Sequence, residues 1–174
     1  MKKKALIISD THGLTKEVLA VVKSDNFDVI FHCGDYCVDE TQKPFNQMVL
    51  VRGNNDRGQN IPLEQMTTWE GIPIFIAHGH TYNVYSSLLG LQYRAEELGA
   101  KVVLFGHTHF PVATSDGGIV YLNPGSLKQP RGYSVPTYAT LTVQELNANR
   151  KEIVCTYYDL EHQSIEALSK RFIL

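Results

Sequence analysis

The chain has 174 residues, 43% of them hydrophobic and 20% charged, with a formal net charge of −2. That length fits one domain, residues 1–174, with a full core, and the charge balance excludes a general nucleic-acid or anionic-membrane binder, which would carry a strong basic excess. The three cysteines, Cys33, Cys37 and Cys155, form no CxxC pair, which argues against a disulfide framework or a thiolate zinc site and fits a cytoplasmic setting.

Lys2 to Lys4 read as a solvated lead-in. The apolar stretch behind them, Ala5 to Ile8, is stopped by Ser9 and Asp10, too short for a secretory leader or a membrane span. Lys4 to Ser9 is instead predicted to be a buried strand running into Asp10-Thr11-His12-Gly13. Leu14, Val18, Val21 and Val22 then fall on one helical face. Phe27 to Cys33 forms a second strand ending at Gly34-Asp35, and Gln47 to Arg52 a third running into Gly53-Asn54-Asn55-Asp56. Met66 to Ala77 reads as two strands joined at Glu70-Gly71, the second ending in His78-Gly79-His80. Leu88, Leu91, Ala95 and Leu98 mark a helix closed by Gly99. Val102 to Phe105 is a strand ending in Gly106-His107-Thr108-His109. Val112 to Leu122 is a hairpin turning at Asp116-Gly117-Gly118. Tyr138 to Val143 and Glu152 to Tyr158 are further strands, and the polar tail after Asp159 is expected to hold a last helix.

This pattern is α/β, with βαβ units at the front and antiparallel strands behind. In such sheets ligands gather at the carboxyl ends of the strands, where the loops leave the core. Five successive strand ends carry Asp10 and His12, then Asp35, then Asn54 with Asn55 and Asp56, then His78 with His80, then His107 and His109. All are oxygen or nitrogen donors. One such turn would mean little, but five in succession require a separate structural excuse for each. Seven of these residues exceed the roughly three protein ligands of a single catalytic zinc and suit a pair of ions about 3.5–4 Å apart. Two divalent ions, two ligating aspartates and one hydroxide leave a net charge of about +1, which attracts a phosphodiester anion more than a peptide carbonyl.

In their order and form, SDTHG, HCGD, VRGNND, AHGH, FGHTH and NPGS resemble the calcineurin-like metallophosphoesterases, in particular their small YfcE-like branch. The motifs span Ser9 to Ser126. The resemblance implies a four-layer α-β-β-α sandwich with a dinuclear centre at its edge. It implies that Asp10, His12 and His109 hold one ion, that Asn54, His78 and His107 hold the other, and that Asp35 bridges them. It further implies a phosphodiesterase in which a hydroxide between the ions attacks phosphorus, acting on a small phosphodiester. On family grounds the ions are expected to be manganese, although nitrogen and oxygen ligands also suit iron, nickel, cobalt or zinc. A homo-oligomer is a further expectation of the resemblance, and neither stable nucleic-acid binding nor a membrane is expected.

Many relatives carry a histidine where this chain has Asn55, and an amide cannot serve as a general acid. His80 is the nearest residue in sequence that could assist the leaving group, and Asp56 is expected to orient its loop. His32 reads as a packed core histidine, Ser126 as a turn residue that could touch substrate, and Arg131 as a surface residue that could meet phosphate. Two rivals stand beside the diesterase: a phosphomonoesterase of the same mechanism, and a non-catalytic scaffold like the retromer subunit of similar fold.

Overall fold

The computed structural model describes residues 2–174. Its elements are β1 (Lys3–Ile8), α1 (Thr15–Val22), β2 (Val29–His32), β3 (Val49–Leu50), β4 (Glu64–Trp69), β5 (Ile72–Ala77), α2 (Leu89–Leu98), β6 (Val102–Leu104), β7 (Val112–Asp116), β8 (Ile119–Asn123), β9 (Tyr138–Asn147), β10 (Arg150–Tyr158) and β11 (Ser164–Ile173). They form two sheets, one ordered β11-β10-β9-β1-β2-β3 and the other β4-β5-β6-β8-β7. β1, β2 and β3 run parallel in the first, and β5, β6 and β8 run parallel in the second.

The pleat sorts the apolar residues into layers, because successive side chains point to opposite faces. Ala5 and Ile7 of β1 join Ile74, Ile76, Val102 and Leu104 of the other sheet in a core between the sheets. The alternate residues Leu6 and Ile8 face outward onto Val18 and Val21 of α1. In the second sheet Phe75, Ala77 and Val103 face outward onto Leu91 and Ala95 of α2. The result is the helix, sheet, sheet, helix stack that the motifs implied. Among the described residues no helix is long and apolar enough to cross a membrane.

The tail departs from expectation: the segment after Asp159 is strand β11, not a helix. Ile165, Leu168 and Phe172 are all partly buried, and their three- and four-residue spacing imitates a helical face. A bulge produces that spacing within a strand. Between Cys155 and Tyr157 the pairing partner jumps from Lys170 to Ile165. The Ser169 hydroxyl fills the irregularity, donating to the Ile165 carbonyl (2.8 Å) and accepting the Tyr157 amide (3.1 Å). The extra residues shift the phase, so Ile165 and Leu168 both reach the core. The third strand is also shorter than predicted: residues 45–47 form one 3₁₀ turn, and the Arg52 amide leaves the sheet to bond the Pro62 carbonyl at 2.8 Å.

Candidate metal centre

The turns that follow β1, β2, β3, β5 and β6 meet at one edge of the sandwich and are tied together by backbone bonds. The Asp10 amide donates to the Gly34 carbonyl (3.0 Å), the His12 amide to the Asp35 carbonyl (2.9 Å), and the Gly106 amide to the His78 carbonyl (3.0 Å). Asn123 holds the β6 turn through its side-chain amide, which donates to the Gly106 carbonyl and the Thr108 hydroxyl. Asp10, His12, Asp35, His107 and His109 all have left-handed backbones, with φ between 42° and 67°. For residues with a Cβ this conformation costs about 1–3 kcal/mol each and persists only where the surroundings impose it. Five of the seven expected ligands share it, so the strain is concentrated on the site.

Asp10 is fully buried. Its Oδ2 accepts from the Ser9 hydroxyl (2.5 Å) and the His107 amide (3.1 Å), whereas its Oδ1 has no hydrogen-bond partner. Around that oxygen stand three imidazole Nε2 atoms, those of His109 at 3.1 Å, His12 at 3.8 Å and His78 at 3.8 Å. The tautomers explain why the oxygen is orphaned. His109 Nδ1 donates to the Gln129 carbonyl (2.8 Å) and His78 Nδ1 to the Cys33 carbonyl (2.7 Å), so in the neutral rings Nε2 presents a lone pair. Lone pairs converging on a buried carboxylate oxygen repel one another unless a cation lies between them. The residues present therefore fit a metal centre.

Two groups bring their donor atoms within 4.8 Å of one another: Asp10, His12 and His109, and Asp10, Asp35 and His78. Asn54 joins the second, its Oδ1 3.1 Å from His78 Nε2. Asp35 Oδ2 lies 3.4 Å from His78 Nε2 and 3.9 Å from His12 Nε2, between the two groups, as Asp10 does. His107 stands edge-on to His78 with ring centroids 5.1 Å apart, at the rim of the second group. Electrostatics follow this geometry. Burial pulls the His78 and His109 pKa values down, but the nearby carboxylates outweigh it and hold both above the usual histidine value. Burial likewise pushes Asp10 and Asp35 up, yet the imidazoles and the amides on Asp35 hold both below the usual carboxylate range.

Asn55 grips Asp35, while Asp56 accepts the amides of Asp35 (2.7 Å) and Gly53 (2.7 Å) on one oxygen and that of Cys37 (2.8 Å) on the other. With both oxygens engaged by backbone, Asp56 orients the loop. His80 flanks His78, centroids 5.4 Å apart, with its Nδ1 buried and unpartnered. Cys37 places Sγ 3.7 Å from His12 Nδ1. Ser126 does not face substrate: it is fully buried and its hydroxyl donates to the Asp10 carbonyl at 2.7 Å. Arg131 donates to the Tyr85 hydroxyl (2.9 Å), which donates to the His107 carbonyl (3.1 Å). Sequence reasoning missed Tyr85 and Lys128 as neighbours of the site, because no motif contains them. Beside Asn55 and Cys37 opens a cavity of about 580 Å³, also lined by Asp39, Glu40 and Arg57.

Residues 4–146 match the calcineurin-like phosphoesterase superfamily domain. The chain belongs to this superfamily. Among calcineurin-like relatives, the probable metallophosphoesterase YsnB of Bacillus subtilis is 34% identical over 97% of this chain and 98% of its own length. The phosphodiesterase YfcE of Escherichia coli K12 is 31% identical over 55% of this chain and 53% of its own. A predicted phosphoesterase from Streptococcus pneumoniae TIGR4 superposes with a TM-score of 0.88 at 29% identity, covering 100% of this chain and 99% of that one. The two-sheet architecture is thus that of the calcineurin-like sandwich. With its candidate dinuclear site, this calcineurin-like chain is a metal-dependent phosphoesterase.

Proposed function

We propose that the chain hydrolyses small phosphodiesters with two divalent ions, manganese in the first instance, at the centre built around Asp10. The observation that carries this reading is the buried, unpartnered Asp10 Oδ1 facing three imidazoles. When bound, such an ion pair would lower the pKa of a water toward neutrality and polarise a phosphoryl oxygen. His12 and His109 with Asp10 would hold one ion, and Asn54, His78 and His107 the other. The position of Asp35 Oδ2 between His12 and His78 supports its assignment as the bridge.

The chain's own groups then have separable tasks. The Gln129 and Cys33 carbonyls keep His109 and His78 in the ligating tautomer. Asn55 and Asp56 fix Asp35 and its loop. His80 is the group proposed to hydrogen-bond the leaving oxygen. Burial holds its pKa below the usual histidine value, so it would act as a neutral N–H donor. YfcE, named as a phosphodiesterase, supports the diester preference.

The test is hydrolysis of bis-(p-nitrophenyl) phosphate against p-nitrophenyl phosphate, with manganese, iron, nickel, cobalt and zinc supplied in turn. The expected result is metal-dependent turnover that favours the diester and falls at least ~100-fold in Asp35→Asn and His78→Ala. Turnover indifferent to metal and to both substitutions would overturn the reading, and no turnover of either ester with any of the metals would favour the scaffold.

A further inference from the structure

The segment 124–131, which follows β8, lies across the metal-binding turns and is bonded to two of them, those after β1 and β6. Ser126 donates to the Asp10 carbonyl, Gln129 accepts from His109, and the Arg131 amide donates to the His109 carbonyl at 3.2 Å. It carries two exposed cations. Lys128 Nζ donates to the His12 carbonyl at 3.1 Å, and the Arg131 guanidinium to Tyr85, itself bonded to the His107 carbonyl. Both side chains are thus held at the rim of the centre. Among the described residues all ion pairs involve other cations, so neither charge is compensated. Lys128 nonetheless acts electrostatically on His12, and Arg131 on His109.

Charge arithmetic gives these cations a purpose, and it rests on the phosphoesterase reading above. Two divalent ions, the carboxylates of Asp10 and Asp35, an attacking hydroxide and the reacting diester sum to about zero. Lys128 and Arg131 are then left over. The cavity beside Asn55 offers no counterpart, because it carries Asp39 and Glu40 against the single Arg57. We propose that Lys128 and Arg131 bind a second anionic group on the substrate, whose class is therefore a phosphate ester bearing a further phosphate on the part remote from the leaving group.

The probes are thymidine 3′,5′-bisphosphate and thymidine 5′-monophosphate, titrated calorimetrically into the metal-loaded protein at about 0.15 M salt, together with the 5′-p-nitrophenyl esters of both as substrates. The bisphosphate should bind about tenfold more tightly, as two charge-assisted contacts at an exposed rim allow. Lys128→Met/Arg131→Met should abolish the preference, each single substitution should lower it, and the charge-conserving Lys128→Arg/Arg131→Lys should keep it. Equal binding by the unmodified protein, or a preference that survives in the double methionine variant with both ions bound, overturns the proposal. If neither ester is hydrolysed but the binding preference follows the two cations, the phosphoesterase reading fails and the anion clamp stands. Hydrolysis of both esters without any preference sinks the clamp alone.

Discussion

Asn55 holds Asp35 at both oxygens: its backbone amide donates to Oδ1 at 2.9 Å and its side-chain amide to Oδ2 at 2.8 Å. Both groups of Asn55 thus serve the carboxylate between the two ligand groups. Asn55→Ala should therefore leave the fold intact and weaken metal binding about 10–100-fold, the usual effect of losing a partner behind a ligand. Competition with a calibrated chelator reads this directly. An alanine variant with unaltered affinity would show that the backbone amide suffices.

Gly106 occupies a space that no side chain can share. A Cβ there would collide with the Ser9 hydroxyl and lie 2.6 Å from Asp10 Oδ2, the oxygen that accepts the His107 amide. Gly106→Ala must push Asp10 or the β6 turn aside. Overpacking of this kind costs about 1–3 kcal/mol. The expected outcome is a folded protein, by circular dichroism, that binds fewer than two ions per chain by elemental analysis.

Much of this centre was legible because polar residues at the ends of buried strands have little to do for the fold. Asp10, Asp35, Asn54, His78 and the histidines of the β6 turn each follow such a strand, and the sandwich brings the strand ends to one edge. What the sequence concealed lies in long-range or backbone contacts. The carbonyls of Cys33 and Gln129 set the histidine tautomers, yet a carbonyl leaves no mark in a sequence. Ser126 reaches Asp10 across 116 positions, and only the NPGS turn hinted at it. The tail reads as helical for a local reason: the bulge at Ser169 gives β11 a helix-like apolar spacing.

Tyr157 bolts the two sheets together. It lies on β10, is fully buried, and directs its hydroxyl at the carbonyls of Val112 (2.8 Å) and Asn123 (2.6 Å) in the opposite sheet. Asn123 is the residue whose side chain holds the β6 turn, so the bolt also braces the site. Tyr157→Phe preserves the packing and strips the donor from buried carbonyls, a loss of about 1–3 kcal/mol. Urea unfolding should show that decrease with an unchanged m-value.

His32 gives the apoprotein a pH dependence of its own. It is fully buried, its Nδ1 accepts the Gly34 amide (3.1 Å), and its Nε2–H therefore donates to the Thr11 hydroxyl (2.9 Å). Burial, the largest influence, pushes its pKa down to about 3 from the usual 6.5. A proton on Nδ1 would also break the Gly34 bond. The unfolded chain thus takes up a proton below about pH 6.5 that the folded chain refuses until about pH 3. The stability attached to the neutral ring is present above the unfolded value and is lost as pH falls through that window. Its slope approaches about 1.4 kcal/mol per pH unit well inside the window. His32→Asn keeps an acceptor near Gly34 and cannot titrate. Its unfolding free energy, measured between pH 6 and pH 4.5 where most carboxylates stay ionised, should fall less steeply than that of the unmodified chain by about one proton's worth. Parallel curves for the two proteins would mean that His32 is protonated in the fold, and the tautomer assigned to it would be wrong.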